Sequence, residues 1–182
     1  IVYPSLRLLT VFILNKYTSS LIKKTVLLSK TPYNARKKVK LMKLLFIGDI
    51  IGKPGRVMLT YHLPKIIKEH NIDFVIANGE NSAHGFGINY ATSKELFNAG
   101  VNLITGGNHS FDKQEIVALF KDKSPIIRPL NYPQGTPGEG VYITKHLDQS
   151  LAIVNLLGFY QMGIVDNPFN TITKEIQKLK SD

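Results

Sequence analysis

The fold is decided by LLFIGDIIGKPGR, which occupies residues 44–56. Residues 43–48 form a short, mainly apolar run that ends in glycine just before Asp49, which is the pattern of a strand buried on both faces. A helical pattern follows from Pro54, because proline is tolerated in the first turn of a helix. The stretch therefore predicts a buried strand that leads directly into a helix, as in a parallel β-α-β unit.

Two further strand-and-helix pairs follow in the same order. Because buried strands alternate with helices, we expect a parallel sheet with right-handed crossovers and with helices on both of its faces. Asp112 is placed to cap the third of these helices. The predicted strands are residues 43–48, 72–77, 101–105, 141–144 and 151–156, and the predicted helices are residues 54–70, 93–98, 113–120 and 172–180.

The positive charge of the chain is concentrated in its first 41 residues. The chain has 182 residues, of which 43% are hydrophobic and 20% charged, and a net charge of +10. Residues 1–41 hold nine of the 23 Lys and Arg residues and none of the 13 Asp and Glu residues, so the remaining residues carry only +1. This body gives no electrostatic case for nucleic acid as a partner, and its composition is that of one soluble globular domain.

Residues 1–41 are predicted to be a basic leader outside the native domain, which would span residues 42–182. The chain begins with Ile1, and Met42 stands directly before the first predicted strand, so Met42 is the expected native start. We expect the leader to be irregular or helical. Its composition is consistent with translated upstream sequence, which we favour, with an organellar targeting segment, or with a nucleic-acid-binding arm.

Composition also limits the chemistry and the partners of the protein. The chain has no cysteine, so any metal ion must be bound by oxygen and imidazole ligands. The longest apolar stretches, such as residues 8–14, are shorter than the roughly 20 residues that a membrane-spanning helix needs. We therefore expect neither thiolate chemistry nor a membrane partner.

Polar residues follow each of the first three predicted strands at the point where the strand ends. They are Asp49 after the first strand, NGEN (residues 78–81) after the second and GGNH (residues 106–109) after the third. Because neighbouring parallel strands end at one edge of a sheet, these groups are expected to meet there. Carboxylate, amide and imidazole groups suit metal ions, and a carboxylate can bridge two ions about 3.5 to 4 Å apart. Turn and cap roles are the alternative for each residue alone, but their recurrence at three strand ends favours a metal site.

Glycine and histidine residues in these loops predict contacts with an anionic substrate. Glycines such as Gly107 let backbone amides approach phosphate oxygens. His109 is placed to act as an acid, and its position beside Asn108 outweighs the alternative of a structural histidine. His84 lies in the Gly-rich loop of residues 79–87 and is given only a supporting substrate contact, since an ordered loop contact without chemistry explains it as well.

The chain resembles the YmdB-like metallophosphoesterases over residues 42–169. The resemblance rests on four motifs in the same order, LLFIGDIIGKPGR (residues 44–56), NGENSAHGFGI (78–88), GGNHSFD (106–112) and RPLNYPQGTPGEG (128–140). Characterised members of this family hydrolyse 2',3'-cyclic nucleotides. The resemblance implies a layered α/β sandwich of the calcineurin-like metallophosphoesterase type, here incomplete, and a cytoplasmic enzyme.

The resemblance also implies roles for residues at the site. Asp49 would bind the first of two metal ions with support from Asn81, Glu80 would bridge both ions, and Asn108 would bind the second. His109 matches the proton donor of the family. The ions, iron or manganese, would clamp the phosphate of a nucleotide or another phosphodiester and activate the attacking water.

The histidines that complete this site in the family are not in the sequence. The family carries a further His after a later strand and a His-x-His pair, whereas the five histidines here include no such pair. The resemblance therefore implies at most partial metal occupancy, and weak or no activity for this chain alone. Two alternatives to an active phosphodiesterase stay open: a truncated, non-catalytic remnant, and one half of a split enzyme whose other chain supplies the histidines. A homo-oligomer is also compatible with the sequence.

Overall fold

The computed structural model describes residues 9–15, 42–146, 149–160 and 162–181. These residues form seven strands in two sheets, together with four helices. The strands are β1 (Leu9–Asn15), β2 (Leu44–Ile47), β3 (Phe74–Asn78), β4 (Leu103–Thr105), β5 (Ile126–Ile127), β6 (Val141–His146) and β7 (Gln149–Leu157). The helices are α1 (Gly52–His70), α2 (Tyr90–Asn98), α3 (Glu115–Lys121) and α4 (Pro168–Ser181).

The first sheet contains β2, β3, β4 and β5 in that order, and all of its strands are parallel. All five residues of β3 and all three residues of β4 are buried. The FVIAN sequence of β3 has apolar residues on both faces and no charge, which suits a strand that is covered on both sides. The predicted parallel sheet is confirmed, and β5 adds a short fourth strand that the sequence pattern did not indicate. The prediction that the first of these strands is buried on both faces is wrong, because β2 lies at the end of the strand order and its Phe46 is 43% exposed.

One interior layer of the protein lies between this sheet and a second one. The second sheet has the order β1-β7-β6, with β6 antiparallel to β7. Phe74 and Ile76, on one face of β3, share a hydrophobic cluster with Leu151 and Ile153 of β7. Side chains that alternate along two strands thus fill the space between sheets, which pack about 10 Å apart in such sandwiches.

Helices cover the outer face of each sheet. Val75, on the opposite face of β3, shares a second cluster with Leu63 of α1 and Leu96 of α2. Val154 of β7 packs with Leu179 of α4. The layers therefore run helix, sheet, sheet, helix, and the predicted layered α/β sandwich is confirmed.

The prediction that helices cover both faces of the parallel sheet is wrong. One face of this sheet is covered by α1, α2 and α3, and the other by strands of the second sheet. The physical reason is that β3 and β4 are apolar on both faces. Such a strand has the same kind of sequence whether a helix or a second sheet covers it.

The helices begin at different residues from those predicted. α1 begins two residues before Pro54, and α2 begins three residues earlier than predicted, with the side chain of Asn89 as its cap. α3 begins two residues later than predicted, and no side chain caps its first turn. Asp112 is therefore not the helix cap that the sequence suggested, because its carboxylate pairs with His109 instead.

Part of the predicted leader is a strand. β1 runs parallel to β7 along the edge opposite β6. The expectation of an irregular or helical leader is therefore wrong for residues 9–15, whose LTVFILN sequence is rich in strand-forming residues. The rest of residues 1–41 lies outside the described residues. That residues 1–41 are not part of the native domain stays a prediction.

The helices are short or charged compared with membrane spans. Within the described parts of the chain, no helix combines the length and the apolar character that crossing a bilayer requires. The longest, α1, has 19 residues and includes lysine, arginine and glutamate side chains.

Replacing Ile153 is expected to destabilise the protein. The residue is 0% exposed between the two sheets, so Ile153→Ala removes apolar contacts and leaves a cavity. We expect the free energy of unfolding to fall by about 2–5 kcal/mol. Ile164→Ala is the matched control, because Ile164 is 93% exposed and its loss should change stability by less than about 0.5 kcal/mol. Urea denaturation would measure both variants, and similarly small changes in the two would contradict the two-sheet core.

Candidate metal centre

Three polar loops meet at the carboxyl edge of the parallel sheet, directly after β2, β3 and β4. Backbone hydrogen bonds continue the strand pairing into these loops. The N–H of Ile50 donates to the carbonyl of Asn78 at 3.1 Å, and the N–H of Gly79 donates to that of Thr105 at 3.0 Å. The polar groups at the three strand ends are therefore neighbours, held at about the 4.8 Å spacing of adjacent strands.

Asp49 and Asn81 are in direct contact. The side-chain amide of Asn81 donates to both carboxylate oxygens of Asp49, at 2.8 and 2.9 Å. The backbone carbonyl of Asn81 accepts hydrogen bonds from Gly52 at 2.9 Å and Gly85 at 3.1 Å, which fix the residue between two loops. Because the amide nitrogen of Asn81 faces Asp49, its amide oxygen stays buried without a hydrogen-bond partner among the described residues.

Glu80 lies inside the protein, with 1% of its surface exposed. Its backbone N–H donates to the side-chain oxygen of Asn78 at 3.0 Å, and its carboxylate accepts a hydrogen bond from the backbone N–H of His109 at 3.2 Å. Gly107 lies so close that a β-carbon there would collide with both carboxylate oxygens. Glycine at this position is therefore what allows the loop after β4 to approach Glu80.

Asn108 carries a second buried amide oxygen. Its Oδ1 has no hydrogen-bond partner within the part of the chain that the structure describes. The peptide before it is fixed by Ser110, whose hydroxyl accepts a hydrogen bond from the N–H of Gly107 at 2.9 Å and donates to its carbonyl at 2.7 Å. Asn108 therefore extends from a backbone that is held in place independently of any ligand.

The imidazole of His109 is paired with a carboxylate. Its Nδ1 lies 2.6 Å from Oδ2 of Asp112, and the ring of Phe86 contacts the imidazole edge to face. A partner at Nδ1 fixes the orientation of the ring and leaves Nε2 as the nitrogen that can meet a substrate. The sequence did not indicate this role for Asp112, because an acidic residue just before a helical pattern is typical of a cap.

Tyr132 belongs to the site although the sequence pattern did not single it out. Its hydroxyl donates to the carbonyl of Gly107 at 2.9 Å. Burial raises the pKa of Tyr132, the carboxylates of Glu80 and Asp112 raise it further, and Arg128 opposes the shift. The hydroxyl therefore stays protonated and remains a donor to Gly107. The signal that could have found Tyr132 is the motif of residues 128–140, which contains it, because the preceding two-residue β5 is too short to recognise in sequence.

Arg56 holds the Gly-rich loop in position. Its guanidinium donates to the carboxylate of Glu95 at 2.6 Å and to the backbone carbonyl of Ser82. This side chain links α1 and α2 to the loop that carries Asn81. A single arginine on a helix gives no sequence signal for such a role, so it was not predicted.

His84 lies apart from the contacts described above. Its side chain is exposed, and its backbone has the left-handed φ of 60°. The predicted substrate contacts of His84 and Gly107 stay predictions.

The donor atoms at this edge suit a metal ion. Asp49 and Glu80 supply carboxylate oxygens, and Asn81 and Asn108 each supply a buried amide oxygen that lacks a partner among the described residues. Thr105 and Asn155 carry two further side-chain oxygens of this kind, but those of Asn81 and Asn108 lie in the two loops that also carry or approach Glu80, where they fit a role in cation binding. Over the described ranges, no group of three or more His, Asp or Glu side chains could hold an ion, so a metal centre built from these residues would draw on the amide oxygens as well.

Relatives of this chain are found among bacterial phosphodiesterases. The chain is 41% identical over 128 residues to the 2',3'-cyclic-nucleotide 2'-phosphodiesterase of Bacillus subtilis (strain 168). The matched region covers 70% of this chain and 48% of that protein. The chain therefore spans about half the length of the curated relatives that it matches.

Solved structures share the fold. A crystal structure of a hypothetical protein from Thermus thermophilus matches with a TM-score of 0.71 and 40% identity, covering 75% of this chain and 53% of that one. A crystal structure described as a novel phosphatase from Mycoplasma pneumoniae matches with a TM-score of 0.70 and 33% identity, covering 75% of this chain and 51% of that one. The fold is thus of the metallophosphoesterase type.

The family is given by a match over most of the chain. Residues 45–182 match the family described as YmdB-like protein, and this range includes all three polar loops. The chain belongs to the YmdB-like family.

Proposed function

We propose that this chain forms part of a metal-dependent phosphodiesterase that hydrolyses 2',3'-cyclic nucleotides. The observation that carries the proposal is the meeting, at one sheet edge, of two carboxylates with two buried amide oxygens that lack partners among the described residues. The name of the Bacillus subtilis relative provides the substrate class. The residues are Asp49, Glu80, Asn81 and Asn108 as metal ligands and His109 as the catalytic acid.

Two neighbouring metal positions are consistent with the contacts at this edge. Asp49 lies beside Asn81, whose amide nitrogen holds its carboxylate in place, whereas Asn108 lies on the loop that approaches Glu80. Glu80 would then be shared between both positions. Iron and manganese both accept oxygen ligands of this kind. When bound, the ions supply Lewis acidity toward the phosphate and toward water.

His109 is proposed to protonate the leaving oxygen. Opening a cyclic phosphate breaks the bond between phosphorus and one ribose oxygen, and that oxygen must gain a proton because an alkoxide is a poor leaving group. Asp112 holds Nδ1 of His109 at 2.6 Å, so Nε2 is the nitrogen that would donate. Asp112 therefore acts by orienting the imidazole and does not need to touch the substrate.

A second candidate is a chain that binds metal without hydrolysing a substrate. It is favoured by the composition of the site, where the described residues provide carboxylate and amide oxygens but no cluster of histidine ligands. Metal binding by the isolated chain without turnover of any phosphodiester would favour this candidate, whether the chain is a remnant or one half of a split enzyme. Turnover would exclude it.

Asn108→Ala is expected to weaken metal binding and remove hydrolysis. The substitution deletes a buried amide oxygen, and we expect the affinity for Mn²⁺ to fall at least about tenfold in a calorimetric titration. Manganese-dependent hydrolysis of bis-p-nitrophenyl phosphate should be lost in parallel. Asn98→Ala, at the exposed end of α2, is the matched control and should change neither quantity. An unchanged Mn²⁺ affinity in Asn108→Ala would argue against a metal centre at this edge.

His109→Ala is expected to affect substrates according to their leaving group. We expect kcat for 2',3'-cyclic AMP to fall by about 10²- to 10⁴-fold, because the ribose oxygen needs a proton as it leaves. Hydrolysis of bis-p-nitrophenyl phosphate should fall much less, since p-nitrophenolate leaves without protonation. Asp112→Asn should show the same pattern in a weaker form. Equal losses on both substrates would mean that His109 is not the acid.

A further inference from the structure

The Gly-rich loop between β3 and α2 exposes an aromatic ring beside the candidate site. Phe86 is 57% exposed, whereas Ala83 in the same loop and Ile88 directly after it are fully buried. The loop thus directs one large apolar side chain outward between two that point inward. Single exposed apolar residues are common on proteins, so exposure alone does not assign a role to Phe86. A role for Phe86 is indicated instead by the fixed backbone of its loop and by its contact with His109.

The backbone of this loop fixes the position of Phe86. The N–H of Phe86 donates to the carbonyl of Ala83 at 3.2 Å, and the N–H of Ala83 donates to the carbonyl of Gly87 at 3.0 Å. Gly85 and Gly87 on either side have φ values of 93° and 81°, which side-chain-bearing residues rarely adopt. Because the backbone that carries Phe86 is already ordered, binding a ligand at this ring does not require the loop to be ordered first.

Phe86 also contacts the residue proposed as the acid. The centroids of the Phe86 and His109 rings are 5.0 Å apart, and the ring planes meet at 70°. This edge-to-face arrangement, together with the large exposed fraction, leaves ring surface of Phe86 open to a ligand. Tyr61 is exposed to a greater extent, at 78%, but it lies within α1 and its ring contacts that of the adjacent His62.

We propose that Phe86 is a platform on which the base of a nucleotide substrate stacks, and that it favours nucleotides over other phosphodiesters. This inference rests on the proposed phosphodiesterase function. In a nucleoside 2',3'-cyclic phosphate, one ribose carries the base on C1' and the phosphate on C2' and C3'. The group that holds the base must therefore lie beside the group that meets the phosphate, as Phe86 lies beside His109. Stacking accepts any base, because every base has a flat π face.

The competing explanation is that Phe86 only supports the ring of His109. The two roles differ in the ligands that they affect. A support for His109 acts on every phosphate ligand alike, whereas a platform acts only on ligands that carry a base. A comparison of ligands with and without a base therefore separates the two roles.

The test measures binding by the full chain with manganese present. The ligands are adenosine 3'-monophosphate and methyl ribofuranoside 3-phosphate, which has the same sugar phosphate without a base. In a calorimetric titration, Phe86→Ala should weaken binding of the adenosine nucleotide at least about fivefold and leave the base-free ligand unchanged. Phe86→Tyr keeps an aromatic face and should bind as the unchanged chain does. Tyr61→Ala, which removes an exposed ring elsewhere, should have no effect on either ligand.

Each other result overturns the inference. If Phe86→Ala weakens the binding of both ligands equally, the ring only supports His109. If nucleotide binding is unchanged in this variant, the ring has no role in recognition. If the unchanged chain hydrolyses bis-p-nitrophenyl phosphate with manganese but binds both ligands equally well, the platform is wrong and the proposed function stands. If it binds neither ligand, the platform is wrong; if it also neither binds manganese nor hydrolyses this ester, the proposed function is wrong with it.

Discussion

The close approach of the loop after β4 to the buried carboxylate of Glu80 is the contact on which the candidate site depends. Gly107 passes so near to Glu80 that no side chain fits between them. The backbone N–H of His109, two residues further along, donates a hydrogen bond to the same carboxylate. Asn108 lies between these two residues, so its position relative to Glu80 is set by the backbone. The contact places the carboxylate of Glu80, the amide of Asn108 and the imidazole of His109 at one edge of the sheet. It involves three successive residues of the loop after β4 and one residue of the loop after β3.

The second sheet supports this edge. Along three strands, the residue that faces the other sheet changes from apolar to polar as the strand nears the site, from Ile76 to Asn78, from Leu103 to Thr105 and from Ile153 to Asn155. Asn155 then donates across the sheets to the carbonyl of Gly106 at 3.0 Å. The apolar part of this interface stabilises the sandwich, and its polar end fixes the loop that carries Asn108. The fold and the site are therefore joined through the space between the sheets.

The ends of β2, β3 and β4 could be predicted from sequence because each of these strands is a short apolar run that stops at a glycine or a polar residue. This local signal placed Asp49, Glu80 and Asn108 together, because parallel strands share an edge. The contacts of Asp112 and Tyr132 depend instead on the turn that delays the start of α3 and on the two-residue β5. Neither feature has a local pattern in the sequence. For the same reason the second sheet was not recognised as the cover of β3, since an apolar strand face does not specify the layer that packs on it.

In the proposed metal centre, asparagine at positions 81 and 108 would limit the negative charge of the site. Asp49 and Glu80 already bring two carboxylates to one edge, and further carboxylates there would repel them and one another. The amide nitrogen of Asn81 donates to both oxygens of Asp49, which a carboxylate at this position could not do. The amide oxygens that remain can bind a cation without adding negative charge. Divalent ions in such a site would outweigh the charge of their protein ligands, and the surplus positive charge is what would attract an anionic phosphodiester.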